Sequence, residues 1–460
     1  MGDFDVPADA YYGANTMRAA VNFPISDLRM PRSFIRALGL IKQQAAGVNK
    51  ELGLLDARLA DAIARAAADV VEGTLDSQFI VDVFQTGSGT STNMNANEVI
   101  SNRAIELLGG TKGSRDPVHP NDHVNLGQSS NDVIPTAIQV AAAVEIKQSL
   151  VPALHTLESS LRGKSEEFWP VVKTGRTHLQ DATPIRLGQE FLGYAGQVER
   201  ARRRCAEAVD TLRELPLGGT AVGTGAGTDP EFPARVITRI AEITGVDFYE
   251  TANHFSAQST LDAVVGASGC MRAVAVVLYK IANDIRLLGF GPRAGVAEIA
   301  IPAVQPGSSI MPGKVNPVIN ESVTMVAAQV IGNDATITFC GAAGSLLELN
   351  VMMPVAAYDL LQSVSLLTTS SRNLARQCVD GLVATSKGPE LVEQGLMTTT
   401  ALAPVIGYDA AAAIAKEAHA SNRTIRDVAR ERTSLSDAEL ARLLDPEAMT
   451  QPGRGAVAAG

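Results

Sequence analysis

The sequence predicts a mainly α-helical protein whose core is a bundle of long helices. Alternating strand patterns are rare, and aromatic residues make up only 4% of the chain, which favours close helix packing over a β-sandwich core. Long segments rich in Ala, Leu and Val recur at 185–212, 258–290, 321–335 and 354–376. These segments are apolar on more than one side, so each helix needs several neighbours, including helices of other subunits. We therefore predict a helical bundle that assembles into an oligomer.

One further helix is marked by apolar residues at intervals of three and four, namely Leu150, Leu154, Leu157 and Leu161. The longest apolar stretch, 263–278, is interrupted by Arg272. It falls short of the ~20 apolar residues that span a membrane, so we predict a buried helix there.

Composition and charge restrict the class of protein. The chain has 460 residues, a net charge of -10 and 46% hydrophobic residues, which suit a large globular protein with an ample core. The acidic balance disfavours nucleic acid or an anionic membrane as a partner. The four cysteines form no C-x-x-C pair, and the first residues, MGDFD, lack the features of a signal peptide. We therefore expect a cytoplasmic protein without a disulfide framework.

Three consecutive domains are predicted along the chain. The N-terminal third is richer in Asn, Gly and Pro and has shorter helices, whereas the region 381–388 interrupts a long helical pattern. We place an N-terminal domain at 1–128, a central long-helix domain at 129–385 and a small C-terminal helical domain at 386–460.

The segment Gly307–Pro317, GSSIMPGKVNP, combines flexible glycines, two adjacent hydroxyls and one ammonium. Gly307 and Gly313 allow backbone conformations that other residues disfavour, and Ser308 with Ser309 supplies hydroxyl and N–H donors. A carboxylate or a developing oxyanion binds to such donors. Composition alone favours an ordinary surface turn, which uses the same residue types.

Two polar segments of the N-terminal third have similar chemistry. Thr86–Asn95 is a glycine-spaced run of hydroxyls and amides before a helix predicted to begin near Asn95, and it fits a carboxylate cradle or a simple connector. Gln128–Asp132 precedes a helix predicted to start at Pro135. His119 and His123 lie nearby, but no third metal ligand is evident, so we predict no metal site.

His178 lies in a polar Thr-His setting between apolar helical stretches, where a lone histidine is more often structural than catalytic. Glu321 follows Pro317 by four residues in the first turn of a predicted helix, where a carboxylate is favourable in any case. The glycine-rich run 218–227 has neither a phosphate-loop pattern nor a G-x-G-x-x-G spacing, so we predict no nucleotide cofactor.

Taken together, Gly307–Pro317, Thr86–Asn95, His119–Asp122, Gln128–Asp132 and Gly175–Pro184 resemble the signature segments of the fumarase/aspartase superfamily. Members of that superfamily are lyases that release fumarate from a succinyl skeleton. The resemblance implies a three-domain fold with a tetrameric helical core, active sites shared by three chains, a small dicarboxylate substrate and no cofactor.

The resemblance also implies roles for individual residues. Ser308 would be the base, Lys314 would stabilise negative charge, and His178, held by Glu321 of another subunit, would act on water. The residues implied to hold the substrate are Ser88, Gly89, Thr90, Ser129, Ser130, Asn131, Thr177, Ser309, Val315 and Asn316. The segment His119, Pro120, Asn121 and Asp122 would form a second dicarboxylate site.

The substrate-contact motifs favour a hydratase acting on fumarate and L-malate. Thr86–Thr90, Ser129–Asn131, Thr177–Thr183 and Gly219–Val222 match the hydratase form. The alternative is an aspartate ammonia-lyase, because the chain resembles that class more closely at Ala10–Gly13, Glu348–Met352 and Glu447–Pro452. A catalytically silent member of the superfamily is disfavoured because the residues implied to be catalytic are all present.

Overall fold

The computed structural model describes residues 4–452. Its α-helices are, in chain order, α1 (Ala14–Asn22), α2 (Arg32–Glu51), α3 (Ala57–Glu72), α4 (Thr90–Leu107), α5 (Ser130–Glu145), α6 (Val151–Glu167), α7 (Leu187–Leu212), α8 (Phe232–Thr244), α9 (His254–Ser259), α10 (Asp262–Leu288), α11 (Val318–Gly344), α12 (Met353–Gln377), α13 (Lys387–Val392), α14 (Ala403–Ile406), α15 (Tyr408–Ser421), α16 (Ile425–Arg432) and α17 (Asp437–Leu443). The predicted mainly helical fold is confirmed.

The strands are short and form two-stranded pairs. Their bounds are β1 (Val172–Thr177), β2 (Gln180–Arg186), β3 (Glu214–Leu215), β4 (Tyr249–Glu250), β5 (Ile299–Ala300), β6 (Ser345–Leu346), β7 (Leu349–Asn350) and β8 (Val383–Ala384). β3 pairs with β4 in parallel, whereas β1 pairs with β2, β5 with β8 and β6 with β7 in antiparallel fashion.

The chain forms two compact units, each made from separate stretches of sequence. Unit 1 contains the residues up to Ala153 together with Ala201–Val276 and Val326–Thr369. Unit 2 contains Leu154–Arg200, Val277–Met325 and the residues from Ser370 onward. The three predicted domains, with boundaries at 128 and 385, are consecutive stretches of the chain, and this division stays a prediction. Its outer ends, residues 1–3 and 453–460, lie outside the described residues.

In unit 1, α2 packs against α3, α5 and α8, and α4 packs against α1 and α3. The contact face of α2 carries Phe34, Leu38 and Ile41, which recur at helical spacing and are fully buried. In unit 2, α13 packs against β1. The C-terminal helices α15, α16 and α17 enclose a separate apolar cluster around Ile414, Val428 and Leu440.

The four predicted long apolar segments correspond to α7, α10, α11 and α12. The predicted leucine helix is α6, preceded by a π-helical turn that ends at Leu150, and all four leucines are buried. By length and composition α10 alone among the described helices could cross a membrane, a test that the core helix of a soluble protein also passes.

Two predicted helix starts were wrong. α4 begins at Thr90 rather than near Asn95, and α5 begins at Ser130 rather than at Pro135, which lies inside the helix. Ser129 and Asp132 form a capping box that satisfies the first N–H groups of α5, and this outweighs the single backbone hydrogen bond that Pro135 removes.

Candidate active site

Three hydroxyl side chains meet where α4 and α5 begin. Ser88 Oγ lies 2.7 Å from Thr90 Oγ1, which in turn lies 2.7 Å from Ser130 Oγ. Thr90 and Ser130 are the first residues of their helices, so the hydroxyls lie at the N-termini of two helices. Such ends favour anions because N–H groups and the helix dipole both point toward the ligand. The fold thus brings these three predicted residues together in an arrangement suited to a carboxylate.

Gly89 allows the two helices to approach each other. It has a φ of +71°, and a Cβ added there would lie 2.9 Å from the Cγ2 atom of Ile134 in α5. A larger residue would be strained in this backbone conformation and would displace α5. Gly89 therefore supports the hydroxyl cluster through the shape of its backbone.

Ser129 and Asn131 are held by the start of α5 and by the glycine-rich run. Ser129 Oγ accepts a hydrogen bond from Asn131 N at 3.2 Å, and Ser129 N donates to Asp132 Oδ1 at 3.0 Å. The Asn131 side chain donates to the carbonyl oxygen of Ala221 at 2.9 Å. The predicted segment Ser129–Asn131 is thus placed beside the hydroxyl cluster in a defined conformation.

The segment Gly307–Pro317 in unit 2 is a loop closed at its base. Gly307 N donates to Lys314 O at 2.8 Å, and Asn316 Nδ2 donates to Gly307 O at 2.6 Å. Gly307 is required there because an added Cβ would lie 2.5 Å from Lys314 O. Ser309 and the residues as far as Val315 are exposed, so the tip of the loop projects into solvent in the single chain.

The Ser308 hydroxyl accepts two backbone hydrogen bonds from the turn that follows it. Its Oγ accepts from Ile310 N at 3.2 Å and from Met311 N at 3.0 Å. Two N–H groups directed at one oxygen stabilise negative charge on that oxygen. The loop backbone therefore supplies part of what a serine alkoxide needs.

A cavity of about 870 Å³ in unit 2 lies beside this loop and is lined by Lys314, Val315, Asn316 and Glu321. The C-terminal part of α10 contributes Arg286 to its wall. The cavity thus brings together four of the predicted residues, with Lys314 and Arg286 as positive charges suited to an anion.

Thr177 and His178 lie at the exposed tip of the β1–β2 hairpin. The turn consists of His178 and Leu179, whose φ angles of +57° and +59° are those of a two-residue type I′ turn. Non-glycine residues rarely adopt this conformation, and such strain often marks functional sites. This hairpin was not predicted from the sequence, where the segment was interpreted as a polar connection between helices.

Buried charges hold the base of the hairpin. Arg176 binds Glu298 through two hydrogen bonds, Nη1 to Oε2 at 3.0 Å and Nη2 to Oε1 at 2.9 Å. Lys173 lies 3.1 Å from Glu298 and 2.8 Å from Glu190. Lys173 and Glu298 are almost fully buried, where a bidentate, charge-paired arrangement is strongly preferred to an unpaired charge. The strand that leads into His178 is therefore firmly anchored.

Within the described residues of unit 2, no hydrogen bond or ion pair joins His178 to Glu321. His178 is exposed at the hairpin tip, and Glu321 faces the cavity beside the loop. The pairing of these two residues, implied to cross subunits, stays a prediction.

The segment predicted as a second dicarboxylate site, His119–Asp122, overlaps the π-helical turn Pro120–Val124. His119 Nδ1 accepts from Asp122 N at 3.2 Å and lies 3.2 Å from Asp122 Oδ2, and His119 N donates to His123 Nδ1 at 2.8 Å. These contacts stabilise the turn and explain why the histidines lie close together. Between residues 4 and 452, no group of three or more His, Cys, Asp or Glu is placed to hold a metal ion.

Sequence reasoning did not single out Lys42, Asp132, Arg176 or Glu298, which contact or support the predicted segments. The spacing Ser129-x-x-Asp132 is a capping-box signal and could have identified Asp132. No local pattern in the sequence distinguishes Lys42, Arg176 or Glu298 from ordinary surface charges.

Comparison with known proteins identifies relatives over the whole chain. A family model described as "Lyase" matches residues 2–332, and one described as "Fumarase C C-terminus" matches residues 399–451. The chain is 54% identical to a class II fumarate hydratase of Halobacterium salinarum, covering 98% of this chain and 96% of that protein. It is 52% identical to class II fumarate hydratase 2 of Bradyrhizobium diazoefficiens, with the same coverage.

Solved structures show the same similarity in three dimensions. The recombinant class II fumarase from Schistosoma mansoni superimposes with a TM-score of 0.95 at 40% identity, covering 98% of this chain and 97% of that one. The cobalt-bound fumarate lyase:delta crystallin from Brucella melitensis has a TM-score of 0.94 at 46% identity, covering 98% of each chain.

Proposed function

This chain belongs to the lyase family that includes the class II fumarate hydratases, and from that membership we propose that it catalyses the reversible hydration of fumarate to L-malate. The identity of 52–54% to two class II fumarate hydratases over almost the full chain is the observation that carries this proposal. The aspartate ammonia-lyase alternative rested on segments outside the substrate-contact motifs. Both relatives are named fumarate hydratases, which does not favour the ammonia-lyase alternative.

We propose that the substrate carboxylate binds at the hydroxyl cluster. Ser88, Thr90 and Ser130 offer neutral donors beside two helix N-termini, and Asn131 lies next to them. Such donors bind a carboxylate in both the ground state and the transition state, so they contribute mainly to affinity.

For dehydration of malate, an alkoxide at Ser308 takes the proton from C3, and the electron pair of that bond delocalises into the adjacent carboxylate. This produces a dianionic aci-carboxylate. Lys314 and Asn316 stabilise its charge, and each well-placed donor is worth ~3–4 kcal/mol. The C2–O bond then breaks, and His178, oriented by Glu321, protonates the departing hydroxide so that water and fumarate are released. Hydration follows the same steps in reverse.

The substrate test measures the ultraviolet absorbance of fumarate with L-malate, L-aspartate or argininosuccinate supplied separately. We expect absorbance to rise with L-malate but not with the other two compounds. The rise should be equal in the presence of EDTA, because no metal-ligand motif was found in the sequence. Deamination of aspartate without any reaction of malate would replace the hydratase proposal with the ammonia-lyase.

Replacing Lys314 with alanine should weaken both binding and turnover, because the ammonium would contact the substrate before and during charge development. We expect KM to rise about tenfold and kcat to fall about tenfold. Steady-state kinetics with malate measures both values. Unchanged values of KM and kcat would indicate that Lys314 has only a structural role.

We propose a soluble cytoplasmic homotetramer in which each active site is built from three chains. The hairpin tip that carries His178 and the loop tip beside Ser308 are both exposed in the single chain. Apolar side chains on the long helices are exposed as well, including Val276 at 53%, Met325 at 68% and Phe339 at 63%. Association of the long helices would cover these side chains and bring the exposed tips into sites supplied by other subunits.

A further inference from the structure

Asp132, in the first turn of α5, is a completely buried carboxylate. Its two oxygens bind different parts of unit 1. Oδ1 accepts from Ser129 N at 3.0 Å, and Oδ2 accepts from Gly218 N and Thr220 N, each at 3.0 Å. One side chain therefore joins the start of the substrate-binding segment to the glycine-rich run 218–227.

The glycine-rich run depends on such a contact because its backbone is unusual at both points. Gly218 has a φ of +103°, and Thr220 has a φ of +53°, which is unfavourable for a β-branched residue. Strained conformations persist only where surrounding contacts hold them. Asp132 supplies two of those contacts, and the bond from Asn131 Nδ2 to Ala221 O at 2.9 Å adds a third link between the same two segments.

A buried lysine accompanies the carboxylate. Lys42 of α2 is fully buried, and its Nζ donates to Asn125 Oδ1 and to Gln128 Oε1, both at 2.9 Å. Burial lowers the pKa of Lys42 to about 7, whereas the negative charge of Asp132 opposes this shift. Burial raises the pKa of Asp132, opposed by its three backbone N–H bonds and by the charge of Lys42. The N–H bonds, and the positive charge of Lys42 when it is protonated, favour the ionised carboxylate, in which both oxygens are acceptors.

We infer that Asp132 is a positioning residue, which fixes Ser129–Asn131 and the glycine-rich run as one unit so that the Asn131 side chain and the Ser130 hydroxyl are preorganised for the substrate carboxylate. This inference rests on the proposed function of the same site. It assigns to Asp132 no contact with the substrate and no proton transfer.

The test variant is Asp132→Asn, which preserves shape but replaces one acceptor oxygen with an amide donor facing backbone N–H groups. We expect KM for malate to rise about tenfold while kcat stays within about threefold, because binding common to ground and transition states is lost. The control is Glu98→Gln in α4. Glu98 is also a buried carboxylate that accepts three backbone N–H bonds, from Gly13, Asn15 and Thr16.

If buried carboxylates matter only for stability, both variants will lower the melting temperature and neither will change KM. A KM for Asp132→Asn equal to that of Glu98→Gln would overturn the inference.

A double-mutant cycle with Asn131→Ala adds a second readout. The two changes should raise KM by less than the product of their separate effects, since Asp132 acts through Asn131.

Lys42→Met is a second variant in case Asp132→Asn does not fold, because methionine fills a similar space and removes the charge that favours the ionised carboxylate. It should raise KM selectively, and an unchanged KM counts against the inference.

In the wild-type protein, hydrogen exchange measured with and without malate should show protection of peptides covering 129–140 and 216–228 together. Protection of the first peptide alone would also overturn the inference. A wild-type protein that does not convert malate would instead refute the proposed function.

Discussion

Replacing Ser308 with alanine is expected to lower kcat by about 10²–10³-fold while dicarboxylate binding remains close to wild type. The change removes the oxygen that would take the C3 proton, whereas the donors that hold the substrate stay in place. In the structure, Ser308 Oγ accepts from Ile310 N and Met311 N, an environment that stabilises an alkoxide.

The measurement combines steady-state kinetics with the inhibition constant or calorimetric affinity of a non-reacting dicarboxylate. Ser309→Ala is the matched comparison, since it removes the adjacent hydroxyl of the same loop and should raise KM more than it lowers kcat. A Ser308→Ala enzyme with near wild-type kcat would refute the proton-abstraction role. Loss of binding in parallel with activity would indicate that the loop itself had collapsed.

Mixing inactive His178→Ala and Ser308→Ala subunits, after dissociation and reassembly, should restore activity. If each site takes His178 from one subunit and Ser308 from another, random assembly of equal amounts leaves both intact in about a quarter of the sites. The restored activity should therefore approach that fraction of the wild-type value. Two observations motivate this expectation. The hairpin tip that carries His178 is exposed, and within the described residues of unit 2 no hydrogen bond or ion pair joins His178 to Glu321.

Two controls make the result decisive. Each mutant taken alone through dissociation and reassembly should stay inactive. A mixture of Ser308→Ala with Lys314→Ala should gain nothing, because both changes affect the same loop of one chain. Native mass spectrometry must confirm hybrid tetramers, and hybrids without activity would show that His178 and Ser308 act within a single chain.

Apolar composition and helix periodicity predicted where the long helices lie, although the segment predicted at 321–335 is only part of the longer helix α11. α7 and α12 lie within two residues of the predicted bounds at each end, and the leucines of α6 are all buried as expected. The starts of α4 and α5 were misplaced because they depend on capping contacts rather than on apolar spacing. The β1–β2 hairpin was missed since its turn uses His178 and Leu179 in place of the Asn-Gly that marks such turns in sequences.

The candidate site was predicted as separate pieces. Resemblance identified the loop around Ser308, the hydroxyls near Thr90 and the segment at Ser129, because each motif is contiguous and carries its own chemistry. It could not indicate which side chains hold those pieces in place. Asp132 and Glu298 act through partners that are distant in sequence, and a lone carboxylate has no local signature.

The amino-acid sequence by itself determined the helical architecture and the donor chemistry of every motif, because periodicity and residue type are properties of short stretches of chain. Only the tertiary structure decided that Thr90 and Ser130 lie 2.7 Å apart, that Asp132 joins two segments, and that His178 occupies a strained turn on a charge-anchored hairpin. These features depend on distances between residues remote in sequence. Such distances arise from packing and from burial of charges that must find partners.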